Sequence, residues 1–134
     1  MSSVGKVIAV CISDRKGIQK TEVPSVKLIP DFGIEGDAHA GKWHRQVSLL
    51  GLEKIEVFRA RGAQVEFGAF GENIIMEGFD LRALPVGTCM SHWRREQEVK
   101  RELRIRLKIS QWPCWRRKQP PPPCLVLNCV LTPE

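Results

Sequence analysis

Hydrophobic and polar positions divide the first half of the chain into short strands and one helix. Val4-Gly-Lys-Val-Ile-Ala-Val-Cys-Ile-Ser13 is dense in β-branched residues and ends in the turn cluster Asp14-Arg-Lys-Gly17, which predicts a mostly buried first strand. Glu22–Ile29 alternates at Val26 and Leu28, as a second strand would, and Pro24 confines it to an edge or a strand start. Pro30-Asp-Phe-Gly33 then turns the chain. Leu52, Ile55 and Phe58 recur at helical spacing, with Ser48 as the expected cap and Gly62 as the stop, so a helix is expected over Leu52–Arg61. Strand character resumes over Val65–Met76, interrupted by Gly68 and Gly71. Glu77–Asp80 reads as a turn, and Leu84–Gly87 as a link into a further strand. Near the end, Leu103-Arg-Ile-Arg-Leu-Lys-Ile109 alternates apolar and basic residues and predicts a strand.

Between the second strand and the helix lies the segment richest in chemistry, Gly33 to Leu50. Glycines at 33, 36 and 41 allow positive φ or close approach, and between and beyond them stand Asp37, His39, His44 and Arg45. The segment turns apolar at Val47, Leu49 and Leu50, as if entering a core. Polar groups on a bent backbone beside a buried anchor are a common way to present a site, although glycine punctuation and surface histidines produce the same pattern. Glu72 and Asn73 follow Gly68 and Gly71 and form a second such place.

Composition narrows the class. The 134 residues fit one domain able to bury a core, and no run of apolar residues is long enough to span a membrane. The opening Met1-Ser-Ser-Val-Gly-Lys lacks the order of a secretory signal, and five cysteines, an odd number, fit a reduced, cytoplasmic chain. The net charge of +6 belongs wholly to residues 89–134; residues 1–88 carry eleven basic and eleven acidic side chains. All eleven glycines lie at or before Gly87, whereas three of four tryptophans and four of five cysteines lie after it. The chain therefore divides into a core, 1–88, and an atypical basic end, 89–134. Arginines interleaved with Trp93, Trp112 and Trp115 have the look of a nucleic-acid surface, but no nucleic-acid motif accompanies them. Pro120–Pro123 reads as a stiff spacer, and Cys114, Cys124, Cys129 and His92 lack paired zinc-ligand spacing.

Five segments in order, Gly33-Ile-Glu-Gly-Asp-Ala-His-Ala-Gly41, His44-Arg-Gln-Val-Ser48, Phe70-Gly-Glu-Asn-Ile74, Gly78-Phe-Asp-Leu81 and Leu84-Pro-Val-Gly-Thr88, resemble the MOSC family, named for the C-terminal domain of molybdenum cofactor sulfurases. The resemblance covers residues 4–88 and is to the small stand-alone bacterial members. It implies a mainly β, barrel-like domain with few helices that handles molybdenum cofactor (molybdopterin) or carries sulfur. Gly36, Asp37, His39, Gly41, His44, Arg45, Glu72 and Asn73 would line the cofactor site. Arg45 and Lys42 suit a phosphate, and Glu72 and Asn73 suit a pterin edge.

The family's reactive group is a cysteine that takes sulfur as a persulfide or binds molybdenum, chemistry that suits a thiolate. Ser110-Gln-Trp-Pro-Cys114 and Asn128-Cys-Val-Leu-Thr-Pro-Glu134 echo the family's ending at shorter spacing, with Trp115 where a histidine is usual. Two readings stand. In one the end is a divergent form of the domain and Cys114 is the sulfur or metal thiolate; in the other residues 89–134 come from a shifted frame. The partners implied are a cysteine desulfurase or a molybdenum cofactor biosynthesis protein, with the chain acting as a sulfur transferase. The alternatives are a non-catalytic cofactor-binding module and an inactive truncated paralogue.

Overall fold

The computed structural model describes residues 5–43, 45–78 and 80–84, together with the backbone of two further strands, 106–109 and 126–132. The strands β1 (Lys6–Ile12), β2 (Thr21–Val23), β3 (Leu28–Ile29), β4 (Gly33–Ile34) and β5 (Val47–Gly51) precede the helix α1 (Leu52–Ala60). Then follow β6 (Ile74–Glu77), a 3-10 turn (Leu81–Ala83), β7 (Arg106–Ile109) and β8 (Val126–Thr132). Six strands form one sheet in the order β2-β1-β6-β5-β8-β7, and β3 and β4 form a separate hairpin. The mainly β class with few helices holds. The barrel-like part holds only loosely: β2 and β7 stand at opposite edges of an open sheet among the described residues.

The sheet is mixed because β5 and β6 run parallel, with Leu49 opposite Ile74 and Gly51 opposite Met76. Parallel neighbours need a crossover, and α1 supplies it. The crossover splits the apolar residues into two layers. Leu50, Ile75, Ala9 and Cys11 point to the face that α1 covers with Ile55. Val47, Leu49 and Met76 point to the other face, where Ile34 of β4 and Leu81 cover them. Every residue of β5 is buried, as expected of a central strand sandwiched on both faces.

Several expectations shift in detail. The second strand breaks at Pro24 into β2 and β3, since proline cannot donate to a ladder. Ser48 is not the helix cap; it lies inside β5, where Ser48 N donates to Asn73 Oδ1, and the N-cap is Gly51 with no side-chain bond. Gly62 does end the helix, at φ +91°. Of the span 65–76 only residues 74–76 are strand, the start of β6, because 68–72 closes as a turn, with Gly71 N donating to Gly68 O. The alternating run 103–109 yields β7, paired with β8. The apolar run that forms β8 is not among the expected strands, yet it fills the sheet position beside β5. Of the link expected over residues 84–87 only Leu84 is described, and the proline run lies outside the described residues.

Two glycines with nearly equal φ test how the sheet is closed against the turn. Gly68 (φ +93°) would drive a Cβ into the Lys20 carbonyl, whereas Gly62 (φ +91°) faces open space. Gly62→Ala is expected to cost about 1 kcal/mol, the left-handed penalty alone. Gly68→Ala is expected to cost at least about 2 kcal/mol more, because backbone must move. Urea unfolding of both variants measures the difference.

Candidate functional site

The glycine-rich bend 33–45 leaves β4 and is fastened by its own backbone. Asp37 N donates to Ile34 O at 3.1 Å, Ala40 N to Asp37 O at 3.1 Å and Gly41 N to Phe32 O at 2.7 Å. Gln46 Nε2 donates to Gly41 O at 2.9 Å and Trp43 Nε1 to His39 O at 2.6 Å. Positive φ at Gly36 (+82°) and Gly41 (+144°) permits this path.

At the centre of the bend the Asp37 side chain is fully buried and saturated. Oδ1 accepts from Lys20 Nζ at 2.6 Å and Ser13 N at 3.1 Å, and Oδ2 accepts from His39 N at 3.0 Å. Burial alone would raise the carboxyl's pKa. The Lys20, Ser13 and His39 donors outweigh it and hold Asp37 below its usual value, so it is ionised. Lys20, with 1% of its side chain exposed, also reaches Ser13 Oγ at 3.2 Å and His39 Nδ1 at 3.1 Å. An ammonium has three donors and no lone pair, so all three N–H groups are used and His39 Nδ1 must accept. The proton of neutral His39 therefore sits on Nε2. Burial, then the charge of Lys20, with Arg45 and Lys16 adding to it, lower the His39 pKa against the pull of Asp37. The ring is neutral at pH 7.

Lys20 also joins the two bends. Its N–H donates to Gly68 O at 2.9 Å while its side chain holds Asp37, so both the 33–43 bend and the 68–73 bend are fastened to Lys20. In the second bend Glu72 and Asn73 are completely buried. Glu72 accepts from Gly68 N at 2.7 Å and Phe70 N at 2.9 Å. Asn73 accepts from Ser48 N at 3.0 Å through Oδ1 and donates to Cys11 O at 3.0 Å through Nδ2, stitching β5 to β1. Their polar atoms thus meet the chain's own backbone. Arg45 is exposed beside the first bend, and Lys42 lies 3.9 Å from Asp31. His44 and Cys114 lie outside the described residues.

Sequence reading missed Lys20, Ser13 and Trp43. A lysine after an exposed turn reads as solvated, and only its contact with Asp37, seventeen positions away, reveals its burial. Trp43 stacks on His39 (centroids 5.9 Å apart, planes at 8°), and Lys16 Nζ lies 4.0 Å from the Trp43 ring centroid. Among the described residues no group of three or more His, Cys, Asp or Glu side chains is placed to hold a metal. Cys11 is a poor ligand: burial first, then Glu72 and Glu22, push its thiol to about 12.

These shifts set the acid response of the fold. Asp37 is more acidic folded than unfolded, so the unfolded chain binds its proton first as pH falls. Its stabilisation is complete above the unfolded carboxylate value near about 4 and is lost as pH drops through the lower folded value. His39 adds a loss of the same sign beginning below about 6.5, because the unfolded imidazole protonates more readily than the folded one. Urea midpoints measured from pH 7 to pH 2 should fall in both windows. His39→Gln is expected to remove the upper one alone. Asp37→Asn leaves Lys20 buried without its counter-charge and is expected to cost about 3–5 kcal/mol at pH 7.

No helix of the described residues is long and apolar enough to cross a membrane. No curated protein and no solved structure matches the chain. The family model described as MOSC domain matches residues 36–131, a span that holds most of both bends and reaches into β8 while leaving Lys20 and Ser13 outside it. The chain therefore belongs to the MOSC domain family, which is associated with molybdenum cofactor sulfurase function.

Proposed function

We propose that this domain binds a molybdenum–pterin cofactor at the joined bends and carries sulfur for it. The observation that carries the reading is the Lys20 bridge, which brings the 33–45 and 68–73 bends together. The donor set suits the cofactor's phosphate: Arg45 is exposed, His39 offers Nε2–H, and Gly36 leaves open space at its Cα. The Gly41 turn adds to the lining. Asp37, Glu72 and Asn73 hold the bends in shape. The metal end needs a soft ligand, and Cys11 is buried with its thiol protonated. That role falls to Cys114. When bound, the cofactor supplies a dithiolene-held molybdenum able to take a sulfur ligand.

The carrier step uses only this chain's thiol and a donor persulfide from a cysteine desulfurase or a cofactor biosynthesis protein. The Cys114 thiolate attacks the terminal sulfur of the donor persulfide. A new S–S bond forms, the donor's S–S bond breaks, and the donor leaves as a thiolate. No net oxidant is consumed, and the proton on the transferred sulfur moves with it. Retention of the cofactor without sulfur transfer is the competing role, and the same measurement decides between them.

The protein is exposed to a desulfurase and cysteine, and the intact mass is read with and without cyanide. A cyanide-labile gain of about 32 Da, one sulfur, is expected on Cys114. Cys114→Ala should abolish it, whereas Cys11→Ala should leave it unchanged. Cofactor binding with no sulfur adduct would assign the non-catalytic role. Neither binding nor adduct would remove both.

A further inference from the structure

We infer that the outer edge of His39 is an anion-binding element, built with Trp43, Lys16 and Arg45, that takes a phosphate monoester through a fixed Nε2–H donor. The inference rests on the same site as the proposed cofactor reading and adds which atoms meet the anion and what sets their state.

Lys20 determines that state. Its three donors are spent on Asp37 Oδ1, Ser13 Oγ and His39 Nδ1, so the imidazole cannot place its proton on the inner nitrogen without facing an ammonium. Nε2–H is then the ring's remaining donor, on the nitrogen that Lys20 does not engage, and no hydrogen bond engages it among the described residues. The ring is held in plane by stacking on Trp43, whose indole N–H is in turn tied to His39 O at 2.6 Å. Rotation of the imidazole would break the Lys20 contact and the stack together.

Charge around this donor favours an anion. Lys16 lies over the Trp43 ring, and Arg45 is close enough to depress the His39 pKa. Neither cation has a carboxylate partner among the described residues. The one nearby carboxylate, Asp37, is already neutralised by Lys20. Two unopposed cations and a neutral N–H donor on an aromatic platform match a phosphate dianion. The same locked tautomer withholds the Nε2 lone pair, so the edge does not ligate a metal.

Long-range proton–nitrogen spectra of 15N-histidine-labelled protein at pH 7.5 test this directly, with His39→Gln assigning the resonance. His39 is expected as the Nε2–H tautomer. Inorganic phosphate should shift its Nε2–H signal and the Trp43 Nε1–H signal in a saturable way, while zinc should leave His39 unmoved. Arg45→Gln should weaken phosphate by about tenfold, the loss of one charge-assisted contact, and Lys16→Gln by less. His39→Gln keeps an N–H donor and should bind phosphate better than His39→Leu. An Nδ1–H tautomer, zinc ligation by His39, or phosphate binding indifferent to Arg45 and His39 would each overturn the inference. Phosphate binding at His39 without uptake of the pterin cofactor would defeat the cofactor reading alone. Cofactor uptake with His39 unmoved would defeat this one alone.

Discussion

The buried ion pair between Lys20 and Asp37 is the constraint on which the rest of the site depends. Two charges taken out of water are costly, and such a pair survives only where further hydrogen bonds satisfy both ions. Here the carboxylate accepts from two backbone amides besides the ammonium, and the ammonium donates to a hydroxyl and an imidazole. Replacement by apolar groups of similar volume would fill the same space. It would not orient His39, and it would not tie the glycine bend to the end of β1. The pair contributes geometry more than stability.

Around it the backbone forms a chain of dependencies. Asn73 joins β5 to β1 through its amide, Glu72 gathers the amides of the 68–71 turn, and that turn accepts the Lys20 N–H. Displacement of one link moves the next, because each polar atom is buried and has a single set of partners. The electrostatic outcome is an inner layer that is charged but balanced, with Lys16 and Arg45 lacking carboxylate partners outside it among the described residues.

What the sequence makes legible follows the range of the interaction. β1 and α1 are readable because their signals are local: a β-branched run for one, and Leu52, Ile55 and Phe58 with Gly62 for the other. The bend around Asp37 and His39 is readable as a place, since glycines mark it. Its wiring is not, because Lys20 is an ordinary lysine until the fold brings it to Asp37. Ser48 looks like a cap only if the strand before it is ignored; buried in β5, its N–H is taken by Asn73, twenty-five positions on. The parallel pairing of β5 with β6 leaves no local trace either, being imposed by the helix between them. The barrel-like shape comes from the family resemblance rather than from any pattern in the residues, and the described strands form an open sheet.

The order of strands has a consequence for biosynthesis. β5 lies inside the sheet, yet its second neighbour, β8, begins only at Val126 and is made well after Gly51, where β5 ends. At ordinary translation rates of about 5–20 residues per second, the β5 edge waits roughly 4–15 s for its partner. During that interval Val47, Leu49 and Leu50 present an unpaired apolar ribbon, the kind of surface that recruits chaperones or another nascent copy. The delay before the late strand arrives is thus a second constraint on the sheet, separate from the stability of its finished form.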